Sequence, residues 1–145
     1  MRKGSISSYV VVAAAAALLS VAATSAIRTS DAQPAAAPPA QLLTQPLADL
    51  PGREVRMSLL DRAPQASSPP HRHPGHHTFG YVVEATYEFA VDGAAPRTLK
   101  AGEVFYEPPG ALHSTSRNPS TDQRTKILVF MVADQKNPST VAEKQ

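Results

Sequence analysis

Tyr81 to Val91 is a run rich in aromatic and β-branched residues, and it ends directly on Asp92-Gly93. That dipeptide favours a tight turn with two left-handed residues, so the run reads as a strand feeding a hairpin. Tyr81, Val83, Tyr87, Phe89 and Val91 are apolar on the odd side, while Glu84, Thr86 and Glu88 break the even side. Val55, Met57 and Leu59 alternate with Glu54, Arg56 and Ser58 in the same way, and Ile127 to Val132 is nearly continuous and predicts an interior strand. Between these runs stand Ala101-Gly102, Pro108-Pro109-Gly110 and other breaks, part of a chain with 14 prolines and 7 glycines. No stripe of 3.6-residue period occurs beyond the first 26 residues. The expected class is all-β, closed as a small sandwich or barrel around the aromatic residues between Phe79 and Phe130.

The first 26 residues read differently. Arg2 and Lys3 precede an uncharged apolar run from Tyr9 to Leu19, and small residues follow through Ala26. This is the order of an export signal, with cleavage after Ala26 preferred and sites after Ala22, Ala23 or Ala32 as alternatives. An uncleaved anchor is the competing reading, but Tyr9–Ala26 only reaches the lower limit of a membrane span and is rich in alanine rather than leucine. The expectation is an exported protein, periplasmic or extracellular, with no stable span after cleavage. Residues 27–45, with Pro34, Pro38 and Pro39 among alanines, are expected to be a tether. The folded domain is expected over 46–133 and a loose polar tail over 134–145.

Charge and cysteine content exclude several functions. The chain carries 14 basic and 12 acidic residues, and without Arg2 and Lys3 the two are equal. No basic face for nucleic acid is indicated. With no cysteine there is no disulfide framework, zinc ribbon, iron–sulfur site or thiol nucleophile.

All five histidines fall in two places. His71, His73, His76 and His77 lie within seven residues, and His113 follows the stiff Pro108-Pro109-Gly110 turn. Residues i and i+2 of a strand share a face, so His71 and His73 can point at one spot and Arg72 should point away. Neutral imidazole is a good metal donor. Two ligands from one strand and a third from a distant one would assemble a metal site inside a barrel.

Two segments carry a family resemblance. The first runs His71-Arg72-His73-Pro74-Gly75-His76-His77-Thr78 and on to Ala85; the second runs from Gly102 through Pro108 and Gly110 to His113. Together they resemble the two motifs of the cupin superfamily, G-x5-H-x-H-x3-4-E-x6-G and G-x5-P-x-G-x2-H-x3-N. The second motif matches at Gly102, Pro108, Gly110 and His113, with Arg117 at the asparagine position and Asn118 one residue beyond. The resemblance covers roughly residues 50–133 and implies a small jelly-roll β-barrel that binds a divalent transition metal. Cupins often pair through their sheets, so it also allows a homodimer.

The first motif departs from the family. Thr78 stands where the glutamate is expected, Ala85 replaces the closing glycine, and Gln65 the leading one. Threonine is a poor ligand. His77 is the favoured stand-in, although strand parity speaks against it, and His76 or neither residue are the alternatives. The candidate ligand set is therefore His71, His73, His77 and His113. An all-imidazole set would shift preference from Mn toward Zn, Cu, Ni or Fe(II) and would attract an anionic ligand. Glu84 and Glu88 are expected in solvent, Tyr81, Phe105 and Tyr106 in the barrel packing, and Glu107 is a candidate supporting residue beside the His113 turn. The resulting function is a metal-dependent, dioxygenase-like enzyme acting on a small molecule. The alternatives are a non-catalytic binding module of the cell envelope, or a barrel that has lost its metal and serves as an assembly piece.

Overall fold

The computed structural model describes residues 34–144, so the export segment and the first part of the tether lie outside the described residues. Ten strands follow in order: β1 Ala40–Pro46, β2 Arg53–Arg62, β3 His71–Arg72, β4 His77–Glu84, β5 Thr86–Val91, β6 Arg97–Lys100, β7 Val104–Glu107, β8 Leu112–Arg117, β9 Thr125–Asp134 and β10 Val141–Ala142. They form two five-stranded sheets, ordered β1-β2-β9-β4-β7 and β10-β3-β8-β5-β6. Every named pairing is antiparallel. The protein is an all-β jelly roll. No helix among the described residues is long and apolar enough to cross a membrane.

The apolar run at Ile127–Val132 lies in β9, at the centre of its sheet between β2 and β4. Its inward residues Ile127, Val129, Met131 and Ala133 meet Val82, Tyr87, Phe89, Leu99 and Phe105 in one core. Burial of such side chains contributes roughly 1.5–3 kcal/mol each and is the main force holding the two sheets together. Asn118 ties the site end of the core: its buried Nδ2 donates to the carbonyls of Arg62, Ala63 and Gln123, and its Oδ1 accepts from the Ser120 amide.

The run from Tyr81 to Val91 is not one strand. Ala85, at φ 58°, separates β4 from β5, and these strands belong to different sheets. Crossing that corner resets the alternation. Val82 faces inward in β4 and Tyr87 and Phe89 in β5, whereas Tyr81 and Val83 face out. Tyr106 is likewise outward, so of the three aromatic residues expected in the packing only Phe105 is there. The hairpin reading holds: Asp92 and Gly93 both have positive φ, and the Ala94 amide donates to the Val91 carbonyl at 3.0 Å.

Both glycine positions lost from the first motif keep a glycine-like backbone, with Gln65 at φ 59° and Ala85 at φ 58°. A left-handed residue bearing a Cβ costs about 1–2 kcal/mol, partly offset by the greater freedom glycine would have in the unfolded chain. Ala85→Gly is therefore expected to stabilise the fold by roughly 0.5–1 kcal/mol, read as a rise in Tm; an unchanged or lower Tm would contradict this.

Both flanks expected to be loose are built into the fold. The end of the tether, from Ala40, runs into β1 and pairs along β2, and nearby the Ala36 amide donates to the Ser67 carbonyl while the Ser67 amide donates to the Pro34 carbonyl. In the tail, β10 pairs with β3. Every side chain of β1 is exposed. The strand is held by backbone ladder bonds, which leave no hydrophobic period in the sequence.

Candidate metal centre

His71 opens β3, and His113 is its direct partner on β8. His73 follows one residue past the end of β3 and shares the inward face. All three rings are buried, and one ligand atom from each lies within 4.8 Å of the others. The ring centroids of His71 lie 5.0 Å from His73 and 4.8 Å from His113. Arg72, between them, turns outward to Glu143.

Each ring is oriented from behind. His71 Nδ1 donates to the Pro69 carbonyl at 2.8 Å and His73 Nδ1 to the Ser139 carbonyl at 2.5 Å, which leaves Nε2 of both as free lone-pair donors. Burial lowers the pKa of all three imidazoles, His73 to about 4 and His113 to about 3. The cluster is thus neutral at physiological pH, the form that binds a cation.

The carboxylate missing from the first motif is supplied from another place. Glu107 ends β7 in the opposite sheet, with its Oε2 3.6 Å from His73 Nε2 and its Oε1 3.3 Å from His113 Nδ1. In the ladder between β4 and β7, Glu107 is the direct partner of Thr78, the residue at the family's glutamate position. The acid has moved one strand sideways and still faces the histidines. Burial pushes its pKa up to about 8. This corrects the expectation of an all-imidazole set.

His77 does not join the cluster. It is exposed on β4, and its Nδ1 shares a hydrogen bond with the Tyr106 hydroxyl at 2.8 Å on the outer face. The parity argument wins: Thr78 points in and His77 out. His76 is fully buried, but its ring is consumed by structure. Nδ1 accepts from the Asp134 amide at 3.0 Å and Nε2 donates to the Pro138 carbonyl at 2.9 Å. Glu84 and Glu88 sit on the periphery, paired with Lys126 and Arg117.

The residues present fit a cation. Glu107 Oε2, His113 Nδ1 and Thr78 Oγ1 are buried without a hydrogen-bond partner. Leaving such an atom unpaired costs about 1–3 kcal/mol, and an ion between the imidazoles and the carboxylate would satisfy the first two. Beside the cluster opens a cavity of about 480 Å³, lined by Arg62, Tyr87, Phe105, Ser116 and Met131 and walled by residues of both flanking segments. Arg62 was not singled out by the sequence. It closes β2 and is buried at 4% exposure.

Comparison with known proteins gives the same picture. The family model described as "Cupin domain" matches residues 58–131. Germin-like protein 5-1 of Oryza sativa subsp. japonica is 35% identical over 71 residues, 46% of this chain and 32% of its own. The chain spans about a third of the length of the curated relatives it matches. Among solved structures, an oxalate oxidase in complex with the substrate analogue glycolate is 28% identical at TM-score 0.53, covering 60% of this chain and 45% of that one. A Klebsiella pneumoniae protein with a double-stranded β-helix domain is 18% identical at TM-score 0.58, over 81% and 90% of the two chains, a likeness of fold alone.

Proposed function

The chain belongs to the cupin domain family, and on that premise we propose that it is a small-molecule metalloenzyme whose divalent transition metal is held by His71, His73, His113 and Glu107. The observation that carries the reading is the convergence of three buried neutral imidazoles on a buried carboxyl with no other partner. A bound ion would supply Lewis acidity, or electron transfer if it is Fe, Mn or Cu rather than Zn or Ni. With Glu107 among the ligands, harder ions such as Mn regain their place beside the softer ones.

The chain's own residues supply the rest. Pro69 and Ser139 hold the His71 and His73 rings so that Nε2 faces the cluster. Tyr87, whose pKa burial raises to about 12, keeps its proton and shares a hydrogen bond with Ser116 at 2.7 Å on the cavity wall. Phe105, Val129 and Met131 give the cavity a buried apolar wall. A cavity beside the ligands favours an enzyme over an assembly piece. Dioxygenase-like chemistry is the reaction class proposed; the 28% identity to an oxalate oxidase supports its broader part, oxidation of a small molecule. Export is part of the proposal, supported by the charged, apolar, small-residue order of residues 1–26; recovery of the chain only inside the cell, with Met1–Ala26 intact by mass, would refute it.

Elemental analysis of the full chain after metal loading and dialysis tests the metal. One ion per chain is expected, and Glu107→Gln, which replaces a charged oxygen ligand by a neutral one, should weaken its retention by more than about 10-fold, at or beyond the scale seen for outer partners of ligands. A wild-type protein that holds no ion under any loading condition overturns the proposal.

A further inference from the structure

We propose that Arg62 is a recognition residue for an organic anion, so that the cavity takes small carboxylates with the carboxylate on the guanidinium and the remainder toward the histidine cluster. The part concerning the histidine cluster rests on the metal-binding reading above; the anion site stands on separate observations.

Arg62 is 4% exposed and lines the cavity. Its Nη2 donates to Ser68 Oγ at 2.9 Å and Ser116 Oγ at 3.2 Å, both neutral acceptors. The Tyr87 hydroxyl lies near the guanidinium, but Nε and Nη1 are buried without a hydrogen-bond partner, which leaves three N–H donors of the fork unused. No carboxylate among the described residues pairs with it: the ion pairs engage Glu54, Glu84, Glu88, Asp61 and Glu143 elsewhere, and Glu107 faces the histidines. A guanidinium stays charged even when buried, and a buried charge without a counter-ion is costly. Such a group is retained where a ligand brings the counter-charge.

Position fixes the kind of ligand. Ser116 Oγ lies 2.7 Å from the Tyr87 hydroxyl, which lies 3.4 Å from His113 Nε2. Two hydroxyl groups therefore bridge the guanidinium and the cluster, so one small molecule reaches both. A divalent ion with one carboxylate ligand and one guanidinium leaves the cavity dicationic, which favours an anion over a neutral guest. Phe105, Val129 and Met131 on the wall suit an organic remainder.

Calorimetric titration of the full chain with benzoate, and with benzamide as its uncharged isostere, tests this. The titration is run on metal-loaded and metal-stripped protein, so that direct contact of carboxylate with metal cannot account for binding. Benzoate is expected to bind both forms at least about 10-fold more tightly than benzamide, as a charge-assisted contact requires. Arg62→Met should remove that preference in both forms while Tm holds or rises, because an apolar side chain replaces an unpaired buried charge. Arg62→Lys, which keeps the charge without the fork, should fold and bind benzoate about 10-fold more weakly than wild type. Equal binding of benzoate and benzamide, no binding of benzoate, or an unaltered preference in either variant overturns the inference. Metal content measured on the same samples separates the two readings. Arg62-dependent benzoate binding without metal retention defeats the metal site alone. Metal retention with indifference to benzoate defeats the anion site alone.

Discussion

His113→Leu is expected to fold and to retain no metal ion, with affinity lowered by more than about 100-fold, beyond the range seen for outer partners of ligands. His113 is the proposed ligand on which both halves of the centre would depend. It pairs with His71 across β3 and β8 within one sheet, and its Nδ1 faces Glu107 across the barrel. Removing it takes away a donor and also the neighbour that Glu107 meets at 3.3 Å. Leucine is the chosen replacement because the ring packs among Phe89, Phe105 and Tyr87, with centroids 5.1, 6.3 and 6.5 Å away. Alanine there would open a cavity costing about 2–5 kcal/mol and confuse metal loss with unfolding. His77→Ala is the matched control: that ring lies outside the barrel, so stoichiometry should stay at the wild-type level. Metal retained by His113→Leu, or lost by His77→Ala, would refute this assignment.

The contrast between His113 and His77 shows what the sequence carried. His71 and His73 were legible because period-two alternation is local and the tight proline-bracketed segment leaves little else for the pair to do. His113 was legible through the stiff Pro108-Pro109-Gly110 turn that precedes it and through the resemblance of Gly102, Pro108, Gly110 and His113 to the second cupin motif. Alternation also placed Thr78 inside and His77 outside; choosing His77 as a ligand gave proximity in sequence more weight than that rule. Glu107 could be suspected from its place beside the turn, but its role depends on the register of β4 against β7, which brings it opposite Thr78 across nearly thirty residues of chain. No local pattern encodes such a register.

The remaining misreadings have related causes. Arg62 ends a strand whose other residues are half-buried, and nothing near it in sequence marks it as the one that turns into the cavity. The flanks looked loose because hydrophobic patterning is the signal for a strand, whereas β1 and β10 are exposed and held through their backbones. Those flanks matter to the site: Ser139 fixes the His73 ring, and Pro38, Pro39 and Thr140 line the cavity mouth. A domain boundary at residues 46 and 133 would therefore have cut away part of the site it was meant to contain. Fold class survived these errors because the strands that build the core are those with inward-facing apolar residues.

Gly80→Ala is expected to be the most damaging single methyl group in the molecule. Gly80 lies in β4 opposite Phe105 of β7, and a Cβ built there would overlap the Phe105 ring. Aromatic rings at a surface swing aside cheaply, but this one cannot. Its centroid stacks 4.4 Å from Phe89 and lies 5.5 Å from Tyr87, and the ring is buried in the core. Relief must come from displacing that cluster or from parting β4 and β7, and overpacking of this kind costs about 3 kcal/mol. For a domain of this size that corresponds to a fall in Tm of roughly 10–20 °C. Phe105→Leu removes ring atoms that the new methyl group would strike, so the double variant should recover part of the loss, a coupling that additive effects would not produce. Because Phe105 also lines the cavity beside His113, the same substitution should weaken metal retention in whatever fraction stays folded. Thermal melts of wild type, both single variants and the double variant decide the matter: a Gly80→Ala protein within about 1 kcal/mol of wild type, below the usual cost of overpacking, would show that the two sheets are not packed against each other as described.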